Sequence, residues 1–217
     1  MPQAAGQEGV GEDLAPAPRM ASHLVFLLSP AHCGGKRAAV LMRDAAEFEL
    51  ASRLRSAEGA PLGEVFAFVS GLYFRGKVAY AERFASPPPG VPGSLVITTD
   101  RGLLPTDARV HPSDLEAFAA VPIDPRDPRY RVPLEADLAR LAAESPGDTR
   151  FVLLGSVATA KYVDLLLAAL GERVLFPAPF AGMGDMQRGA LLLRAAREGI
   201  ELPYLPVAGA VLGGRAR

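Results

Sequence analysis

The sequence predicts a single three-layer α/β domain with a mainly parallel sheet flanked by helices. Two observations carry this. Four short apolar segments, His23–Leu28, Leu95–Thr98, Phe151–Leu154 and Arg173–Phe176, each run into a loop that pairs glycine with hydroxyl or charged residues. Segments with apolar residues at three- and four-residue steps lie between them, and strands alternating with helices build a parallel sheet with helices on both faces. The chain has 217 residues, 49% of them hydrophobic and 22% charged. That is long enough for one well-buried core and ordinary for a globular protein.

The elements follow in order. Residues 1–21 are rich in Pro, Ala and Gly and have the composition of a disordered tail. His23–Leu28 is a continuous apolar run, as expected of a strand covered on both faces. Lys36–Ala57 reads as one helix through Leu41, Ala45, Phe48, Ala51 and Leu54. Leu62–Phe84 is either one long helix or two short ones, with Ser70-Gly71 as the break. The prolines of 86–93 force a loop before the second strand. A short helix starts at His111-Pro112 and runs to about Ala119, and residues 121–133 hold four prolines and read as an irregular excursion. Pro133–Glu144 is an amphipathic helix with Leu134, Leu138 and Leu141 inward. Thr159–Leu170 and Asp185–Glu198 are the last helices, and Leu202–Val207 is an edge strand or a strap. The single domain spans 22–210, with 211–217 a flexible end.

Composition narrows the function. A net charge of −1 argues against a broadly basic nucleic-acid binder and leaves room for a local basic cleft. The single cysteine, Cys33, excludes an internal disulfide and a cysteine-cluster zinc site, and three histidines make a histidine-built metal site unexpected. No metal and no cofactor is expected. The N-terminal stretch lacks the basic start of a secretory leader, and no apolar run spans a bilayer, so the expected location is cytoplasmic, with no membrane partner.

If the four strands are parallel, their loops meet at the carboxyl edge of the sheet, where open α/β folds bind ligands. Lys36, Arg37, Arg101, Lys161 and Arg188 would then surround the site, which points to a phosphate-bearing or other anionic ligand. In the first loop Gly34 and Gly35 allow a sharp turn and close approach to a ligand, and Lys36 and Arg37 begin the next helix, against its dipole. The competing reading is a glycine turn with two solvated cations. His32 beside Cys33 suggests a nucleophile pair, but a packed small thiol is favoured, because no third orienting group is evident. In the third loop Ser156 faces the crevice, and Lys161 repeats the dipole-opposed placement. In the fourth, Asp185 and Arg188 share a helix face, so the arginine either grips a phosphate or base edge or forms a solvated pair.

Tyr73, Lys77, Tyr80 and Phe84 form one helical stripe. Such stripes are more often core, yet core rarely includes a lysine without a partner. Tyr73, Arg75 and Lys77 offer stacking and charge to a nucleotide. Asp100, directly after a strand, is the candidate base or water-positioning group, or else the partner of Arg101.

Four stretches carry a resemblance: Leu27-Leu28-Ser29-Pro30-Ala31, Ser70–Lys77, Val96–Asp107 and Phe151–Tyr162. Together they resemble segments of the YaaA-like proteins, the peroxide-stress family. His32 stands where that family carries a lysine, Arg101 replaces an aromatic residue, and Thr106 is inserted before Asp107. The resemblance implies a compact fold similar to uracil-DNA glycosylase-like domains, with DNA binding and a part in oxidative-stress protection.

The expected function is therefore binding of nucleic acid or a nucleotide, with an N-glycosidase-like activity on a nucleobase as its enzymatic form. In that scheme Asp100 positions water, Ser29 and His32 contact the base, and Lys36, Arg37, Lys161 and Arg188 hold phosphates. Tyr73 or Phe180 lines the base pocket. The alternatives are a non-catalytic DNA-binding protein and a small-molecule enzyme of nucleotide metabolism.

Overall fold

The computed structural model describes residues 23–158, 160–208 and 210. The expected tail at 1–21 and end at 211–217 lie outside them, as does Thr159. The central strand β1 is Leu24–Leu28, and all five of its residues are buried. Successive side chains of a strand point to opposite faces, so total burial means that both faces are covered. β1 pairs in parallel with β3 (Ser94–Ile97) on one side and β6 (Arg150–Leu154) on the other. β6 pairs in parallel with β7 (Val174–Pro177). Two antiparallel strands close the edges, β4 (Leu103–Pro105) on β3 and β8 (Tyr204–Pro206) on β7. The order is β4-β3-β1-β6-β7-β8, and a small separate ladder joins β2 (Ala60–Pro61) to β5 (Arg109–Val110). The mainly parallel α/β fold read from the sequence is the one observed. β2, β4 and β5 were not legible, being two or three residues long.

Helix α4 (Leu72–Phe84) packs on β1 and β3, with Tyr80 edge-on to Phe26 at 5.6 Å. It is backed by α3 (Leu62–Ser70) and α8 (Asp185–Glu198). A second group, α6 (Pro128–Glu144) and α7 (Ala160–Leu170), runs along β4 and β7. α5 (Pro112–Ala120) is capped where Asp114 accepts from the His111 N–H at 2.7 Å.

Two boundaries depart from the periodicity, and the break expected at Ser70-Gly71 is present. The helix expected over Lys36–Ala57 is two, α1 (Lys36–Leu41) and α2 (Glu49–Arg55). Between them the Arg55 guanidinium donates to the carbonyls of Arg43 and Ala46, taking acceptors that a continuous helix would need. Phe48 leaves the core and stacks on Phe68, ring centroids 5.2 Å apart. Leu62–Phe84 is two helices, divided at Gly71, whose φ of +72° suits glycine alone. The irregular stretch ends at Asp127, not at 133: the Asp127 side chain accepts from the Arg129 N–H at 2.9 Å, and Pro128 takes the first helical position.

Asp137 ties α6 to the sheet edge. Its Oδ2 accepts from the Leu103 N–H at 2.8 Å and its Oδ1 from Arg140 at 2.9 Å. Asp137→Ala leaves a half-buried strand amide unpaired, a loss of about 1–3 kcal/mol. Thermal melting should fall by several degrees, about 2–4 °C per kcal/mol for a domain this size. Asp137→Asn, which keeps an acceptor, should recover most of it.

Candidate functional site

β1 connects onward to β3 on one side, and β6 connects onward to β7 on the other. The connections from the two central strands thus leave in opposite directions at their carboxyl ends, which makes this the topological switch point where open α/β folds bind ligands. Ser29 follows β1 there, and Gly155 follows β6. Their backbones are joined by the Ser29 N–H donating to the Leu154 carbonyl at 3.3 Å. A Cβ on Gly155 would lie 2.8 Å from Ser29 Cβ and 2.9 Å from the Tyr162 hydroxyl, so only glycine lets the two loops meet this closely.

Lys77 reaches this point from α4. It is 2% exposed, and its Nζ lies 2.7 Å from Ser29 Oγ and 3.0 Å from Ser29 O. The Tyr73 ring covers the amine, its centroid 4.2 Å away, with Phe74 at 5.1 Å. No carboxylate stands within ion-pair distance of Nζ among the described residues. Burial pulls the amine down to about 7 from its ordinary 10.5; Arg188 adds to the effect and Asp185 opposes it. A lysine held in this way is divided between its two protonation states near neutrality.

Helix α8 completes the site, because two glycines let it approach α4 backbone to backbone. A Cβ on Gly76 would meet Gly189 O at 2.7 Å, and one on Gly189 would meet Tyr73 Cα at 2.7 Å. Arg188 is consequently set beside Tyr73. Its Nη2 donates to Phe180 O at 3.1 Å, its guanidinium lies over the Phe180 ring, and Asp185 is 3.7 Å from Nη1. Tyr73 and Phe180 meet edge-on at 6.4 Å.

Several buried polar groups at this place lack partners. The Tyr73 hydroxyl, the Tyr130 hydroxyl and Arg188 Nε are buried and have no hydrogen-bond partner among the described residues. Buried polar groups normally find partners, so orphans gathered at a crevice mark a place shaped for something else. Burial pushes the Tyr73 and Tyr130 hydroxyls above their ordinary range, Arg188 acting against it at Tyr73. Tyr162 is also pushed up by burial, with Ser29 and the Ser156 main chain opposing. Its hydroxyl takes the Ser156 N–H at 3.0 Å and donates to Ser156 O at 3.1 Å, while Ser156 Oγ accepts from the Ala158 N–H at 3.3 Å.

The site therefore assembles Ser29, Tyr73, Lys77, Ser156, Asp185 and Arg188 from the expected residues. Lys36 and Lys161 are exposed on the same edge. His32 is exposed, its ring lying over Gly34 and Gly35. Arg37 and Arg75 line a separate depression with Gly71, Glu64 and Phe68. Arg101 is engaged by Asp114 at 2.7 Å and lies over the Phe118 ring, and its Nε stands 3.5 Å from Asp100. Asp100 keeps a second, buried oxygen, Oδ1, without a partner. Cys33 is a packed thiol: burial, helped by Asp100, pushes it up to about 12. Sequence reasoning did not place Tyr130, Tyr162 or Gly155 in the site. The one signal for Gly155 and Tyr162 was the glycine at the strand end followed by a tyrosine in the next helix; nothing in the sequence pointed to Tyr130.

What fold and site define is a single α/β domain with a buried amine–hydroxyl cluster at its switch point. No family model, no curated protein and no solved structure matches the chain. Among the described residues no group of three or more metal-ligating side chains converges, and no helix is long and apolar enough to cross a membrane.

Proposed function

We propose that the protein binds a nucleotide, free or within a nucleic acid, at the crevice between β1 and β6. The observation that carries this reading is Arg188, a guanidinium with an unpartnered buried Nε beside the unpartnered Tyr73 hydroxyl. Two adjacent donors that interact with each other and with no other acceptor among the described residues fit a phosphate or the acceptor edge of a base. Tyr73 and Phe180 offer ring surface to that base. Lys36 and Lys161 add positive charge at the rim, and the resemblance to the peroxide-stress family agrees with a nucleic-acid ligand.

A second reading, N-glycosidase-like hydrolysis, is favoured by Asp100. Its Oδ2 is steadied by Arg101 and its Oδ1 is buried and unpartnered, which suits a carboxylate that holds a water. Loss of turnover with retained binding in Asp100→Asn supports the enzyme; unchanged turnover removes Asp100 from it.

Titration against single-stranded DNA, duplex DNA, structured RNA and mononucleotides at two salt concentrations tests the binding. Polymer affinity should fall steeply with salt, whereas a mononucleotide site responds weakly. Arg188→Ala should weaken binding about 10- to 100-fold, the worth of one charge-assisted hydrogen bond. Affinity unchanged by that substitution would place the ligand elsewhere.

A further inference from the structure

We propose that Ser29 is a nucleophile for acyl transfer, with Lys77 as its base, the Tyr73 hydroxyl and Arg188 Nε as donors to the oxyanion, and a carboxylic ester as substrate. This goes beyond ligand binding and stands whether or not the ester is part of a nucleotide.

The surroundings of Lys77 limit where its protons can lie. Lys77 Nζ faces Ser29 O, Ser29 Oγ and the Tyr73 ring. A carbonyl oxygen and an aromatic face only accept. When the amine is neutral, its lone pair can therefore be met by one group alone, the Ser29 hydroxyl, 2.7 Å away. The Ser29 proton then points at Lys77, and the lone pairs of Oγ turn away from it. Tyr162, beside Ser29, exchanges hydrogen bonds of 3.0 and 3.1 Å with the Ser156 main chain and also interacts with the Ser29 hydroxyl, which fixes where Oγ lies. A nucleophile within hydrogen-bond reach of its base, with the base fixed by a third group, is the arrangement that activates a serine; here the third group is Ser29's own carbonyl. Ser29 sits just past β1 at the switch point, where a substrate entering the crevice meets it.

Acyl chemistry is favoured by the orphans. Attack on an ester places new charge on one oxygen, and such sites present two preorganised donors to it. Tyr73 O–H and Arg188 Nε–H are buried donors without acceptors, on helices fixed against each other by Gly76 and Gly189.

Ser29 Oγ bonds to the carbonyl carbon as its proton passes to Lys77 Nζ, and the oxyanion is held by Tyr73 and Arg188. Collapse breaks the ester C–O bond, and the departing alkoxide takes the proton from Lys77. Water then attacks the acyl-serine with Lys77 again accepting a proton, which returns to Ser29 as the carboxylic acid leaves.

The test uses a fluorophosphonate probe on the whole protein. Its P–F bond breaks as Ser29 Oγ bonds to phosphorus, fluoride leaves, and mass spectrometry locates the adduct. The adduct should fall on Ser29, and the labelling rate should rise about tenfold from pH 6 to pH 8 as Lys77 loses its proton. Asp185 and Arg188 on α8, Tyr73 on α4 and Tyr162 on α7 are the titratable and charged groups that bear on this amine. Lys77→Arg keeps a cation but offers no base, so labelling should slow about 100-fold or more while the circular dichroism of the fold is retained. Tyr73→Phe should slow p-nitrophenyl acetate hydrolysis about 100-fold. An adduct elsewhere, no adduct on folded wild-type protein, or a flat pH profile overturns the proposal; none of these outcomes touches the nucleotide titration.

Discussion

Gly189→Val should lower thermal stability by about 3 kcal/mol or more, close to the upper end for forcing bulk into a packed contact. The cause is where the new atoms would go. A Cβ on Gly189 falls 2.7 Å from Tyr73 Cα and 2.9 Å from both Leu72 C and Leu72 O. These are backbone atoms of α4, which cannot rotate aside as a side chain would, so α8 must move away from α4. Replacing a helical glycine otherwise raises stability, by about 1 kcal/mol for alanine. Gly189→Ala therefore tests the sign: helix propensity alone predicts a gain, the contact predicts a loss, and a loss is expected. Gly147→Ala, where a Cβ meets nothing within 4 Å, is the control and should leave melting unchanged. The valine variant should melt about 6–12 °C lower, at about 2–4 °C per kcal/mol. Because Arg188 adjoins Gly189 and Tyr73 is the residue struck, ligand affinity should drop beyond what unfolding explains. Unchanged melting of the valine variant would mean that α4 and α8 do not touch as described.

What the sequence disclosed follows from the range of the forces involved. The parallel strands were legible because β1, β6 and β7 are apolar runs buried on both faces, a pattern that local residues write directly. Lys77 was legible as an anomaly, a lysine on an aromatic stripe. Its partner was not, because Ser29 lies 48 residues away and is brought to it only by the crossing of α4 over β1. Arg101 looked like a site cation from its place after a strand. Asp114, in the helix that starts at Pro112, engages it instead. The break between α1 and α2 also depended on a distant group, the Arg55 side chain. Each of these misses is a tertiary contact overriding a local signal.

Lys77→Met should invert its effect on stability between pH 6 and pH 9.5. At pH 6 the amine is charged in both the folded and the unfolded chain, and the folded chain bears the full cost of burying that charge. As pH rises through about 7 the folded amine loses its proton, while the unfolded one keeps it until its ordinary 10.5. Over that window the unfolded state binds more protons, so wild-type stability rises with pH, by about 1.4 kcal/mol per unit and about 3 kcal/mol up to pH 9.5. Methionine has no such slope. It also leaves Ser29 O and Oγ without the amine, a loss of about 1–3 kcal/mol at every pH. The variant should therefore be more stable than wild type at pH 6, by about 2 kcal/mol, and less stable at pH 9.5, by about 1–2 kcal/mol. The range stops at 9.5 because Tyr73, Tyr130 and Tyr162, raised by burial, hold protons in the folded state that the unfolded state releases above pH 10, which turns the slope downward. Denaturant titrations of both proteins at four pH values measure the difference directly. Parallel curves would mean that Lys77 keeps its charge throughout, and with it the base assigned to Ser29 would be lost.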